Sequence, residues 1–119
     1  MGRRILVLDD EVDLVATCVR LFSRHGYECV VGHTGQEGIR LIDDQRPDLV
    51  LTDLYLPDLD GLSVLRHARE QTPPIPGIPM TAHPSPRNTT DAYDAGAMFY
   101  LTKPFSNAAL LELVARALS

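Results

Sequence analysis

Acidic side chains, a hydroxyl and an amine follow the apolar runs of this sequence. In chain order they are Asp9, Asp10 and Glu11, then Asp53, then Thr81, and finally Lys103. Carboxylates that are crowded together repel one another and stay ionised only where a cation offsets their charge. Oxygen ligands suit a hard ion such as Mg²⁺, which often keeps waters and takes a phosphate oxygen beside a few carboxylates. If the fold brings these groups together, they predict a magnesium site that holds a phosphoryl group during transfer.

The apolar patterns predict five strands that alternate with five helices. The strands are predicted at residues 5–8, 28–31, 49–52, 78–80 and 98–101. The helices are predicted at residues 12–22, 34–45, 62–69 and 87–95, with a last helix that begins at Ser106. Gly26 is expected to close the first helix at positive φ. Thr34 and Glu37 are expected to form a capping box, with Glu37 reaching back to the backbone of Thr34.

This alternation predicts an α/β fold: a doubly wound, five-stranded parallel sheet with helices on both faces. Coverage on both faces explains why the strands are continuously apolar. Because ligands gather at the carboxyl ends of the strands in such sheets, the polar residues that follow the strands are expected to meet there. A chain of 119 residues has the size of one domain, which we assign to residues 1–119.

Composition excludes several classes of function. The net charge is -5, and the eleven Lys and Arg are scattered without a basic run, which argues against direct nucleic-acid binding. Charged residues and prolines interrupt the apolar stretches well before the roughly 20 residues that span a bilayer, and the amino-terminal residues lack a signal-peptide core. These features predict a cytoplasmic protein without a membrane partner. Cys18 and Cys29 have no metal-ligand spacing and are interpreted as reduced core residues.

Four motifs resemble, in order and spacing, those of the receiver domains of response regulators. They are Leu8-Asp9-Asp10-Glu11, the run from Thr52-Asp53 to Asp60-Gly61, Met80-Thr81-Ala82, and Leu101-Thr102-Lys103-Pro104-Phe105. The resemblance covers essentially the whole chain and implies a flavodoxin-like sheet of strand order 2-1-3-4-5. It also implies a two-component switch, in which a histidine kinase or phosphotransfer protein passes a phosphoryl group to Asp53 with Mg²⁺. Binding to a downstream effector protein or domain then changes.

The resemblance also assigns a role to each site residue. It implies that Asp53 is the phosphoacceptor and that Asp10, Asp53 and the backbone carbonyl of Tyr55 ligate Mg²⁺, while Asp9 joins through a bound water. Lys103 is implied to pair with Asp53 at rest and with a phosphoryl oxygen afterwards. The protein is then not an enzyme, except that it catalyses its own phosphorylation and dephosphorylation.

Three further residues belong to the implied switch. Thr81 is implied to bond another phosphoryl oxygen, and Tyr100 matches the aromatic residue that moves inward on activation. Pro104 resembles the family's cis proline, which aims Lys103 into the site. His83, two residues after Thr81, stands where receivers vary the group that controls access to the phosphate.

Other polar residues are given structural roles. Asp58 and Asp60 lie in a turn and are expected to shape it and cap the next helix. Thr102 is interpreted as strand surface. The histidines share no metal-site spacing, and each is interpreted as a solvated side chain; they are His25, His33, His67 and His83.

The fourth strand departs from the receiver pattern because it is rich in proline. Pro79 stands inside it and cannot donate a hydrogen bond to a neighbouring strand. The next helix begins with Asn88-Thr89-Thr90, which are poor helix formers, so this segment is expected to be irregular or mobile. In receivers this region belongs to the output surface. The difference from the receiver pattern is therefore expected to affect how a partner is bound and not how Asp53 is phosphorylated.

Two other functions are compatible with parts of the pattern. A pseudo-receiver would keep the fold and bind a partner without being phosphorylated; Pro79 favours this alternative, and the intact acidic cluster argues against it. A phosphohydrolase with an aspartate nucleophile would act on small molecules. That enzyme class needs a general acid, and Tyr55 stands where a second aspartate is required.

Overall fold

The computed structural model describes residues 2–119; Met1, the first residue of the predicted domain, lies outside them. The strands are β1 (Arg4–Leu8), β2 (Glu28–Gly32), β3 (Leu49–Asp53), β4 (Gly77–Thr81) and β5 (Leu101–Thr102). The helices are α1 (Val12–Arg24), α2 (Gly35–Gln45), α3 (Gly61–Arg69), α4 (Pro86–Asp94) and α5 (Asn107–Ala117). The strands form one parallel sheet in the order β2-β1-β3-β4-β5, which confirms the predicted topology.

The sheet is buried on both faces. In β1, Ile5 and Val7 belong to the core layer that contains the buried residues of α1 and α5. Leu6 and Leu8 point to the opposite layer, beside the buried residues of α2 and α3. Because alternate residues of a strand face opposite sides, a strand covered on both faces must be apolar throughout, as the sequence predicted.

The backbone nitrogen of Pro79 faces β5. The carbonyl oxygens of Gly77 and Thr81 accept hydrogen bonds from that side, from the nitrogens of Met98 and Lys103, each over 2.8 Å. Since residues two apart in a strand direct their backbone groups to the same neighbour, Pro79 has its nitrogen on that side too. Pro79 therefore removes no donor from the ladder between β3 and β4.

The prediction of a fifth strand at residues 98–101 is wrong at its start. The strand contains only Leu101 and Thr102, which pair with Met80 and Thr81. Extending this register backwards would place Tyr100 opposite Pro79. Because Pro79 can donate no hydrogen bond to β5, regular pairing begins only after it.

The prediction that the segment after β4 is irregular is also wrong, because α4 is a regular helix with a capped start, while its mobility stays a prediction. The Ser85 hydroxyl accepts from the backbone nitrogen of Asn88 over 3.1 Å, and the Asn88 side chain accepts from the nitrogen of Ser85 over 2.8 Å. Pro86 occupies the first turn, where its missing N–H costs nothing. This reciprocal capping offsets the poor helix propensity of the residues that follow.

Of two local predictions, the one at the end of α1 is confirmed and the one at the start of α2 is wrong in part. Gly26 has φ of 81°, as expected for the residue that closes α1. Thr34 caps α2 by accepting from the nitrogen of Glu37 over 3.1 Å. The Glu37 carboxylate, however, accepts from the nitrogen of His33 over 3.1 Å, so the expected contact with the Thr34 backbone is wrong by one residue.

Both cysteines are free, as predicted. Cys18 is buried and Cys29 is partly buried, and both pack in the layer beneath α1 and α5. Burial raises the pKa of the Cys18 thiol to about 11, so it stays protonated at neutral pH.

Among residues 2–119, no helix has the length and apolar character needed to cross a bilayer.

Candidate functional site

Four predicted site residues meet at the carboxyl edge of the sheet. Asp9 follows β1, Asp53 ends β3, Thr81 ends β4, and Lys103 follows β5. Asp9 and Thr81 are fully buried, and Asp53 is 7% exposed. Parallel strands direct their carboxyl ends to the same edge, so the convergence follows from the topology.

The Lys103 ammonium lies at the centre of this cluster. It donates to the carboxylates of Asp9 over 2.7 Å, Glu11 over 2.9 Å and Asp53 over 2.9 Å. Burial acts to lower the pKa of Lys103, but these three carboxylates outweigh it and raise the pKa above its ordinary value. Lys103 is therefore a fixed positive charge at neutral pH, and the predicted pairing with Asp53 is present.

Backbone donors hold the second oxygen of each buried carboxylate. Asp9 Oδ1 accepts from the nitrogen of Glu11, and Asp53 Oδ1 accepts from the nitrogen of Tyr55, each over 2.9 Å. Burial raises the pKa of Asp9 although Lys103 and the Glu11 nitrogen act to lower it, and the charge of Asp53 adds to the rise. The three carboxylates around Lys103 therefore carry more negative charge than its single ammonium neutralises.

The acidic cluster has the donor chemistry of a hard cation site. Asp9, Asp10 and Asp53 each offer a carboxylate oxygen, and these oxygens lie within 4.8 Å of one another. Asp9 and Asp53 are buried, whereas Asp10 is exposed and opens the cluster to solvent. Oxygen ligands with one open side fit Mg²⁺, which retains water and accepts a phosphate oxygen. The residues present therefore fit the predicted ion.

Two structural features shape the loops around Asp53 and Lys103. A Cβ atom on Gly61 would overlap the backbone carbonyl of Asp53, so only glycine allows α3 to begin so close to β3. The peptide bond between Lys103 and Pro104 is cis, as the family resemblance implied.

Thr81 and Tyr100 do not touch each other by hydrogen bonds; each is held by a different neighbour. The Thr81 hydroxyl oxygen accepts from the backbone nitrogen of His83 over 3.0 Å. The Tyr100 hydroxyl donates to the side-chain oxygen of Asn88 over 2.7 Å, and its ring is partly buried. Burial raises the pKa of Tyr100, so its hydroxyl remains a donor at neutral pH.

Asp60 behaves as predicted, whereas Asp58 shapes its turn as predicted, by accepting from the nitrogen of Leu59 over 2.9 Å, but does not cap the next helix. Asp60 caps α3 by accepting from the nitrogen of Ser63 over 2.9 Å. Asp58 instead caps the preceding helix, α2, because its two oxygens accept from the nitrogens of Gly35 over 2.7 Å and Gln36 over 3.0 Å. The loop after Asp53 is thereby fastened to a neighbouring helix, a contact that requires the folded arrangement.

The interpretation of the histidines as solvated side chains is wrong for His33 and His67, which are partly buried, and is confirmed for the exposed His25 and His83. His33 Nδ1 lies 2.9 Å from the backbone oxygen of Asp9, and His25 Nδ1 lies 3.0 Å from a backbone oxygen of α1. His67 Nε2 lies 2.7 Å from the carboxylate of Asp43. His33 and His67 contact residues 24 positions away in the chain, which spacing in the sequence does not reveal.

Two contacts near the site are not evident from the sequence. Glu11 is one of the acidic residues after β1, but no sequence pattern indicates that it binds Lys103. Asn88 is a poor helix former, although a serine three residues before it is a recognisable sign of a capping box. Thr102, by contrast, is exposed strand surface as predicted.

Comparisons with known proteins identify the family of this chain. The family model for the response regulator receiver domain matches residues 5–115. The transcriptional regulatory protein TrcR of Mycobacterium tuberculosis is 40% identical over 113 residues, which are 95% of this chain and 43% of that protein. The chain spans less than half the length of the curated relatives it matches.

Solved structures give the same assignment. A CheY-like receiver domain from Methanospirillum hungatei aligns with a TM-score of 0.94 and 30% identity, over 99% of this chain and 94% of that one. The receiver domain of a sensor histidine kinase from Pseudomonas aeruginosa, with magnesium in its active-site cleft, aligns with a TM-score of 0.88 and 30% identity, over 99% and 98%. This chain belongs to the response regulator receiver domain family.

Proposed function

We propose that Asp53 accepts a phosphoryl group and that this modification is the signal the domain carries. One observation carries the proposal: Asp53 is buried beside Lys103 inside a cluster of carboxylates that only a cation can balance. A structural ion pair would need one carboxylate for one ammonium. The surplus of negative charge serves a site that binds a metal ion and a phosphoryl group.

The protein residues act by position and charge. A carboxylate oxygen of Asp53 attacks phosphorus, a phosphorus–oxygen bond forms, and the bond from phosphorus to the donor breaks as the donor leaves with its electron pair. The Lys103 ammonium, now held by three carboxylates, turns to an oxygen of the transferred group. Charge stabilisation of this kind is the main protein contribution to phosphoryl transfer.

Mg²⁺ would be held by the carboxylates of Asp10 and Asp53 and the backbone carbonyl of Tyr55, with Asp9 joining through water. Bound there, the ion supplies positive charge to the phosphoryl oxygens. The backbone nitrogen of Tyr55 already fixes Asp53 Oδ1, so the carboxylate is oriented in advance. A receiver domain with magnesium in its cleft and the same fold supports this assignment.

The phosphoryl group is read out through Thr81 and Tyr100. The Thr81 hydroxyl is buried at the neighbouring strand end and bonds a phosphoryl oxygen once the group is present. Its displacement moves the loop that precedes α4, and Tyr100 changes position in response. The domain is thus a two-state element biased by a local charge.

The partners follow from this role. A histidine kinase or a phosphotransfer protein supplies the phosphoryl group, and an effector protein or domain reads the altered surface. One relative is a transcriptional regulatory protein that extends well beyond the shared segment, which supports an effector of that kind. The domain comprises residues 1–119, acts in the cytoplasm, and catalyses only its own phosphorylation and dephosphorylation.

Intact-mass measurement after incubation with acetyl phosphate tests the proposal. The wild-type protein should gain the mass of one phosphoryl group with Mg²⁺ and none after the ion is chelated. Asp53→Ala should gain nothing, whereas the matched variant Asp58→Ala, in the same loop, should be modified like the wild type. Modification of Asp53→Ala would refute the assignment.

A further inference from the structure

The side chain of Asn88 connects the phosphorylation site to Tyr100. Its Nδ2 donates to the hydroxyl of Tyr55 over 3.1 Å and to the backbone oxygen of His83 over 3.0 Å. Its Oδ1 accepts from the nitrogen of Ser85 over 2.8 Å and from the hydroxyl of Tyr100 over 2.7 Å. A primary amide has two donor hydrogens and two acceptor lone pairs, so the capacity of Asn88 is completely used.

Each partner of the amide nitrogen also contacts the site directly. The nitrogen of Tyr55 donates to the Asp53 carboxylate over 2.9 Å. The nitrogen of His83 donates to the Thr81 hydroxyl oxygen over 3.0 Å. Two paths therefore end on the same amide group, one from the phosphoacceptor through Tyr55 and one from the threonine through His83.

We propose that Asn88 is a positioning residue that holds Tyr100 in its unphosphorylated position and releases it when Tyr55 or His83 moves. The inference rests on the proposed function of Asp53. A change at Asp53 or Thr81 shifts Tyr55 or His83. The Asn88 amide nitrogen then loses its hydrogen bond to the residue that has moved. Because all four bonds share one rigid planar group, the amide cannot turn towards a displaced partner without weakening its bond to Tyr100.

This arrangement has a thermodynamic consequence with a definite sign. The bond between Asn88 and Tyr100 exists in the unphosphorylated arrangement and stabilises it. A ligand that favours the other arrangement must overcome this bond, so removing the bond strengthens the binding of that ligand. A residue that merely supports the fold would weaken binding when it is removed, or leave it unchanged.

Titration with beryllofluoride in the presence of Mg²⁺ tests the inference. Asn88→Ala and Tyr100→Phe should each bind the phosphoryl mimic about fivefold more tightly than the wild type, the effect of losing one net hydrogen bond. The double variant should bind no more tightly than either single variant, because both remove the same interaction. Ser85→Ala is the control: it removes half of the same capping box, keeps the Asn88 amide contacts, and should bind like the wild type.

Tyrosine ring NMR signals give a second readout. The chain has four tyrosines, and the signal missing in Tyr100→Phe identifies Tyr100. In free Asn88→Ala this signal should lie nearer to its position in the beryllofluoride-bound wild type. Wild-type affinity in Asn88→Ala, or tighter binding by Ser85→Ala to the same degree, would overturn the inference while leaving the role of Asp53 intact. A wild-type protein that binds no beryllofluoride would overturn both.

Discussion

Lys103 donates a hydrogen bond of 2.9 Å to the carboxylate of Asp53, although 50 positions separate them in the chain. The same ammonium also binds the fully buried Asp9. One cation therefore restrains two carboxylates that the fold has removed from water. Removing Lys103 should therefore lower the free energy of unfolding, and a bound cation should stabilise the site further.

Lys103→Met should destabilise the protein by about 3 kcal/mol in the absence of Mg²⁺, because it leaves buried carboxylates without their counter-charge. Urea unfolding measures the change. Added Mg²⁺ should recover part of the loss, and so should a second substitution, Asp53→Asn, which removes one of the repelling charges. An unchanged free energy of unfolding in both conditions would contradict this description of the cluster.

Thr81→Ala should leave Asp53 modifiable but keep Tyr100 in its unphosphorylated position, because it removes the hydroxyl that we propose binds the phosphoryl group. Crystal structures of the free and beryllofluoride-bound variant measure the position of the ring. Thr81→Ser retains the hydroxyl and should restore the movement. If the ring moves equally in Thr81→Ala and the wild type, the threonine does not transmit the signal.

Helix α4 should be less stable than the strands around it. It buries only Ala92, whereas every residue of β1 from Ile5 to Leu8 is buried. Hydrogen exchange should therefore be faster for the amides of residues 86–94 than for those of residues 5–8. Equal protection in the two segments would show that capping alone makes α4 as stable as the sheet.

The cap that Asp58 provides to α2 should weaken in acid. Desolvation acts to raise the pKa of Asp58, but the backbone donors of Gly35 and Gln36 outweigh it and hold the pKa below its ordinary value of 3.8. A lowered carboxyl pKa gives stability that is present above 3.8 and is lost as the pH falls through the folded value.

Asp58→Asn cannot titrate, so urea unfolding of the two proteins from about pH 6 to about pH 2 isolates this contribution. The wild type should be more stable than the variant at the upper pH, and the difference should shrink at the lower one. A difference that stays constant over this range would mean that the charge of Asp58 contributes nothing to the cap.

The convergence of Asp9, Asp53, Thr81 and Lys103 could be predicted because it follows from a topological rule. Each residue stands just after a strand of a parallel sheet, and parallel strands end at one edge. Their neighbours in the chain identify the strands, so no knowledge of side-chain packing is needed. The two apolar layers followed from the continuously apolar strands, whereas the strand order was expected only from the resemblance to receiver domains.

Contacts between loops could not be predicted in this way. Asp58 caps α2 across 23 positions, and Asn88 reaches Tyr55 across 33 positions, both through the packing of one loop against another. The length of β5 depends on whether the nitrogen of Pro79 faces β3 or β5. The sequence does not show which of the two strands it faces. Such features depend on register and loop geometry, which short-range patterns leave open.

Chemical mapping identifies the residue that carries the phosphoryl group. Borohydride reduces an acyl phosphate to an alcohol, so a phosphorylated aspartate is found as homoserine in the peptide mass spectrum. After treatment with acetyl phosphate and Mg²⁺, we expect this conversion at Asp53 and nowhere else, and no conversion when the ion is chelated. Conversion at Asp10 or Asp9, or equal conversion of Asp53 without Mg²⁺, would contradict it.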